Sequence, residues 1–132
     1  MGEQVTTEKI REVALEARSD RDSYLNCNPI NPKIGEALKQ AGLSIQQVKG
    51  TFSTRRSHVG GEEHLYLTVR GKDVAGTAEP VIVDGAIDQF CIENYEQGRV
   101  FEQIGPRETI PTVAVLTRGD EWYDCYYKEQ NF

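Results

Sequence analysis

The chain has 132 residues, 38% of them hydrophobic and 27% charged, with a net charge of −6 and a pI near 5.0. That size and balance suit one globular domain with one core, taken here as residues 1–132. No apolar run is long enough to span a bilayer, and the basic cluster Arg55-Arg56 is too small for the charge neutralisation that nucleic-acid binding requires.

The polar opening MGEQVTTEKIREV does not read as a secretory signal, and Gln4-Val5-Thr6-Thr7 is a poor myristoylation context. Cys27, Cys91 and Cys125 are an odd, widely spaced set without a CxxC pair. They suggest neither a disulfide framework nor a zinc site, so a reducing, cytoplasmic setting is expected, with no nucleic-acid or membrane partner.

Residues 6–19 read as a helix, with Ile10, Val13, Ala14 and Ala17 on one stripe and Thr6 or Thr7 as cap. Residues 20–26 are polar and turn-like. Residues 31–42 read as a second helix with Asn31 as N-cap, Pro32 at the first position and Gly42 at the stop. Its stripe of Ile34, Ala37, Leu38 and Ala41, carried backward, reaches Ile30 and Cys27, so a helical turn is expected to extend to within a residue or two of Cys27. Strands are expected at 44–52, at 64–69 and at 80–84. In the second of these, Leu65, Leu67 and Val69 face one way and His64, Tyr66 and Thr68 the other. Residues 85–98 fit either helix or loop. Residues 111–117 and 121–128 flank Arg118-Gly119-Asp120 and predict a C-terminal hairpin. Helices first and strands after predict an α+β fold, with N-terminal helices packed on an antiparallel sheet.

Nucleophilic cysteine chemistry needs a thiolate, a histidine to hold its proton and a group that orients the histidine. Cys27 precedes a helix, whose N-terminus favours anionic sulfur. His64 opens one strand and Asp84 closes the next, so an antiparallel pair would set imidazole and carboxylate side by side. Asp88 is the rival carboxylate. Gln89-Phe90 read as packing residues, with closing the pocket as the alternative, His58 as an exposed loop residue, and Cys91 and Cys125 as small buried hydrophobes. The spacing of His58, His64, Asp84 and Asp88 matches no metal-ligand pattern.

Several phrases occur in order: Cys27, Leu38-Lys39-Gln40-Ala41-Gly42-Leu43, Val48-Lys49-Gly50, His64-Leu65-Tyr66-Leu67-Thr68-Val69, and Val81-Ile82-Val83-Asp84-Gly85-Ala86. Over residues 20–95 this resembles the papain-like cysteine protease superfamily, in particular its transglutaminase-like branch. Tyr66 stands where that family has Trp, Gly85-Ala86 replaces Pro-Thr, and Asn28-Pro29 and Asn31-Pro32 follow the cysteine. The resemblance implies a papain-like core and a cysteine hydrolase or acyltransferase, above all a peptidase. It would act on amide bonds of a protein or peptide, as peptidase, isopeptidase, glutamine deamidase or transglutaminase. Cys27, His64 and Asp84 would be the triad, with Ser23, Tyr24 and Asn26 assisting the oxyanion and no cofactor or metal required. The alternative is a catalytically inactive binding or assembly module of the same fold.

Overall fold

The computed structural model describes residues 4–18, 27–54 and 62–128, and within these the side chains of residues 27, 28 and 128 are not described. Helix α1 (Thr7–Arg18) begins where Thr6 Oγ1 accepts the Lys9 N–H at 3.1 Å, and it buries Ile10 and Ala14. Helix α2 (Cys27–Gln40) buries Ile30, Ile34 and Leu38 on its inner stripe. Gly42, at φ +93°, turns the chain out of α2, and the Leu43 N–H closes on the Leu38 carbonyl at 3.2 Å. The start of α2 is earlier than the cap residues suggest. Asn31 is not the N-cap: it lies inside the helix, because its amide is committed to the sheet. Pro32 is likewise inside the helix rather than at its first position.

Strands β1 (Ile45–Phe52), β2 (Glu62–Val69), β3 (Val81–Asp84), β4 (Ala114–Leu116) and β5 (Tyr126–Lys128) form a sheet in the order β4-β3-β2-β1-β5. Every neighbouring pair is antiparallel. The fold is therefore α+β, with helices packed on an antiparallel sheet. Among the described residues, no helix is long and apolar enough to cross a membrane.

Both faces of the sheet are covered. Leu67, Val69, Val83 and Val115 pack under α1 and α2. On the other face Val48, Phe52, Tyr66, Ile82 and Leu116 pack under the chain that follows β3, through Ile87, Phe90, Val100 and Ile110. That covering segment contains a tight turn at Ile87–Phe90 and the short helix α3 (Ile92–Glu96). The alternation read in β2 is thus not apolar-in and polar-out. His64, Tyr66 and Thr68 are buried as well.

The expected C-terminal hairpin does not form. β4 and β5 lie on opposite edges of the sheet, and β5 pairs with β1 through Gly50↔Lys128 and Phe52↔Tyr126. Between them the chain is pinned by the Tyr123 hydroxyl, which donates to the Pro80 carbonyl at 2.6 Å. Two things reward this long crossing over a local turn. Tyr126 packs edge-on to Phe52 and Tyr66, with ring centroids 5.1 and 4.9 Å away, and becomes 9% exposed. Gly50 also lets β5 approach, since a Cβ there would lie 2.0 Å from the Tyr127 carbonyl oxygen.

Candidate functional site

The register Leu67↔Val83, Thr68↔Ile82, Val69↔Val81 fixes where the charged residues meet. Continued by one pair, it sets Asp84 opposite Tyr66, with His64 next along the same face. This diagonal spacing is within reach of long side chains. His64 Nε2 and Asp84 Oδ2 are 2.6 Å apart, and neither side chain has any exposed surface.

The Asp84 carboxylate is held from four directions. Oδ2 also accepts the Tyr126 hydroxyl at 2.7 Å, and Oδ1 accepts Asn31 Nδ2 at 3.0 Å and the Ala86 N–H at 2.9 Å. Burial alone would push its pKa up. The charge of His64 and the hydrogen bonds from His64, Tyr126 and Asn31 outweigh burial and hold it below the usual carboxylate value. Since an ionised carboxylate only accepts, Nε2 carries the proton, and Nδ1 accepts from the Gln89 amide at 2.9 Å. Gln89 is itself held by its own carbonyl, which accepts Asn94 Nδ2 at 2.9 Å. Phe90 meets the imidazole edge-on at 4.9 Å and stacks on Phe52 at 4.0 Å, closing the apolar side of the site.

Asn31 ties α2 to this centre. Its Nδ2 donates to the Leu65 carbonyl at 2.8 Å as well as to Asp84, while its Oδ1 accepts the Gly85 N–H at 2.8 Å. Gly85 has no room for a side chain, because a Cβ would lie 2.3 Å from Ile34 Cδ1 and 2.9 Å from Ile30 Cγ2. The first turns of α2 are therefore pressed against the end of β3.

Of the residues named from sequence, His64 and Asp84 are in direct contact. Cys27 is the first residue of α2, one helical turn before Asn31, and its side chain lies outside the described part. Ser23, Tyr24, Asn26 and His58 also lie outside the described residues. Asp88 turns away from His64 and pairs with Arg18 at 3.4 Å, while Arg18 also donates to the Thr112 carbonyl at 2.6 Å. Cys91 is fully buried. Cys125 is half-buried, and burial first, then Glu102, Asp124 and Glu121, pushes its thiol up to about 11. Among the described residues, no group of three His, Cys, Asp or Glu is placed to hold a metal ion.

Three members of the network escape a reading by sequence. Asn31 resembles a helix cap, Gln89 a packing residue, and Tyr126 belongs to a strand that pairs across the far edge of the sheet. A signal existed for Asn31, which lies four residues after Cys27 on the same helical stripe. Tyr126 had none.

No family model matches the sequence, and no solved structure matches it. The chain is similar to an N-acetyl-D-glucosamine kinase of Yersinia pestis bv. Antiqua (strain Nepal516), with 28% identity over 131 residues. The similarity covers 88% of this chain and 50% of the kinase, so the chain spans about half the length of that relative. This corrects the expectation of a cysteine hydrolase or peptidase: the similar protein bears the name of a kinase.

Proposed function

We propose that His64, oriented by Asp84, activates the Cys27 thiol for acyl transfer on an amide, in a papain-like arrangement. The observation that supports this most is the fully buried 2.6 Å contact between His64 and Asp84. It lies at the end of the sheet where Asn31 of α2 is bonded. A helix N-terminus stabilises a thiolate through its unpaired N–H groups and dipole.

In this reading Nδ1 of His64 takes the thiol proton, and the sulfur adds to the amide carbonyl. The imidazolium returns the proton to the departing amine, leaving an acyl thioester that passes to an acceptor. Asp84 keeps Nε2–H in place and offsets the imidazolium charge without taking the proton itself. Gln89 shares Nδ1 in the resting state and yields it when the sulfur donates.

Alkylation with iodoacetamide near pH 6, followed by peptide mass spectrometry, tests the reading. Cys27 should be modified first, because a histidine-paired thiolate persists well below the ordinary thiol value of about 8.5. Cys91 is fully buried and the Cys125 thiol is raised to about 11, so both serve as internal references. His64→Ala should remove the selectivity. Equal, slow labelling of all three would leave a catalytically inactive binding or assembly module.

The similarity to N-acetyl-D-glucosamine kinase favours a second reading, in which His64 is the base for phosphoryl transfer to a sugar hydroxyl. That reading expects ATP-dependent phosphorylation of N-acetyl-D-glucosamine that survives Cys27→Ser and is lost in His64→Ala. The acyl-transfer reading expects no such turnover.

A further inference from the structure

Beside the His64–Asp84 pair, on the same face of the sheet, lies a cleft of about 430 Å³. Its floor is β2 and β3, through Tyr66 and Ile82, and its other side is the C-terminal segment, through Tyr123, Asp124, Tyr126 and Tyr127. Tyr66 and Tyr126 stand at 66° to each other with centroids 4.9 Å apart, forming an aromatic corner. The Tyr126 hydroxyl donates to Asp84 and the Tyr123 hydroxyl to the Pro80 carbonyl, and because Tyr66 and Tyr126 are buried, the more exposed rings of the cleft are those of Tyr123 and Tyr127. Among the described residues, no lysine or arginine lines the cleft.

We propose that this cleft is a binding site for an organic cation, the alkylammonium or guanidinium group of the kind a lysine or arginine side chain carries. It adjoins the reacting centre, sharing Tyr126 with it, and goes beyond the function proposed above. Ring faces attract such cations, most strongly where water is partly excluded. The charge around the cleft has the matching sign. Asp124 lines it, and the Asp84 carboxylate lies behind the Tyr66–Tyr126 corner. Burial first, and then Asp84, pushes the Tyr66 hydroxyl up to about 12, so that ring stays neutral. Arg118, outside the cleft lining, pairs with Glu79 at 3.3 Å.

The test is a titration of the full chain with tetramethylammonium and with arginine amide, each against a neutral isostere, neopentyl alcohol and citrulline amide. Trp122, the sole tryptophan, packs against the same aromatic cluster and provides the fluorescence signal. Both cations should saturate, with the neutral isosteres weaker by about tenfold. Asp124→Asn should weaken the cations about two- to fivefold, as expected for an exposed charge. Tyr127→Ala should weaken them about tenfold. A peptide with one central arginine that binds tighter than arginine amide assigns the cation to a polypeptide, and equal affinity assigns it to a free small molecule. Equal binding of the neutral isosteres overturns the proposal, as does no saturation by cations, or affinity unchanged by Asp124→Asn. Asp124→Asn replaces an exposed side chain and still decides the matter if Tyr127→Ala fails to fold. His64→Ala lies outside the cleft lining and should leave cation affinity within about twofold while removing the selective alkylation of Cys27, so the two proposals can fail independently.

Discussion

Asp84 concentrates more of the chain's polar chemistry than any other residue described, and its protonation has a calculable sign. Its folded-state pKa is depressed, by the charge of His64 and hydrogen bonds that outweigh burial. A depressed acid stabilises the fold above its unfolded value of about 3.9, and that stability is lost as pH falls from there through the folded value. Wild-type urea midpoints should therefore drop steeply below about pH 4, and those of Asp84→Asn should drop less. Near neutral pH the same substitution should cost about 1–3 kcal/mol, the range for losing hydrogen bonds to a buried charged group. An Asp84→Asn protein as stable as wild type at pH 7 would mean the pair adds nothing to the fold.

The elements explain why some of this was legible in the sequence and some was not. Strands β2 and β3 are consecutive and antiparallel, so His64 near the start of one and Asp84 at the end of the next come together, although β2 begins at Glu62, two residues before the start read from the sequence. That much follows from order and alternation. Asn31 was misplaced because cap preference and Pro32 both favour a helix starting there, whereas the tertiary bonds to Leu65 and Asp84 reward a helix that runs through it. β5 was misplaced because a local turn at Arg118-Gly119-Asp120 is the nearest partner in sequence, while burial of Tyr126 against Phe52 and Tyr66 is the better one in space. The contact between α2 and β3 is tight enough to be tested with a single methyl group. Gly85→Ala would drive a Cβ into Ile34 and Ile30, and should cost about 1–3 kcal/mol by thermal or urea unfolding. Ile34→Val in the same background should recover part of that loss, because Ile34 Cδ1 is the nearest atom.

Across the whole molecule, stability should be graded from the centre of the sheet outward. β2 pairs with β1 along all eight of its residues and with β3 on its other side, whereas β4 and β5 are three-residue edges. Amide hydrogen exchange should be slowest in β2, at Leu67 and Val69, while β5 should exchange by local opening at a lower free energy. Uniform protection across all five strands would instead indicate a single cooperative unit.

The arrival of Tyr126 on β5 also sets an order in time. A chain made from its N-terminus exposes His64 and Asp84 for pairing long before Tyr126 exists. Until β5 docks on β1, Asp84 lacks the hydroxyl that Tyr126 donates and the cleft lacks its C-terminal wall. The nascent protein can thus collapse around its central strands while the Asp84 carboxylate is still incompletely held, and that set of hydrogen bonds is completed only when β5 docks. A protease that nicks the exposed stretch around Arg118–Glu121 and frees β5 would reverse that step, returning the molecule to the unfinished state without first unravelling the central strands.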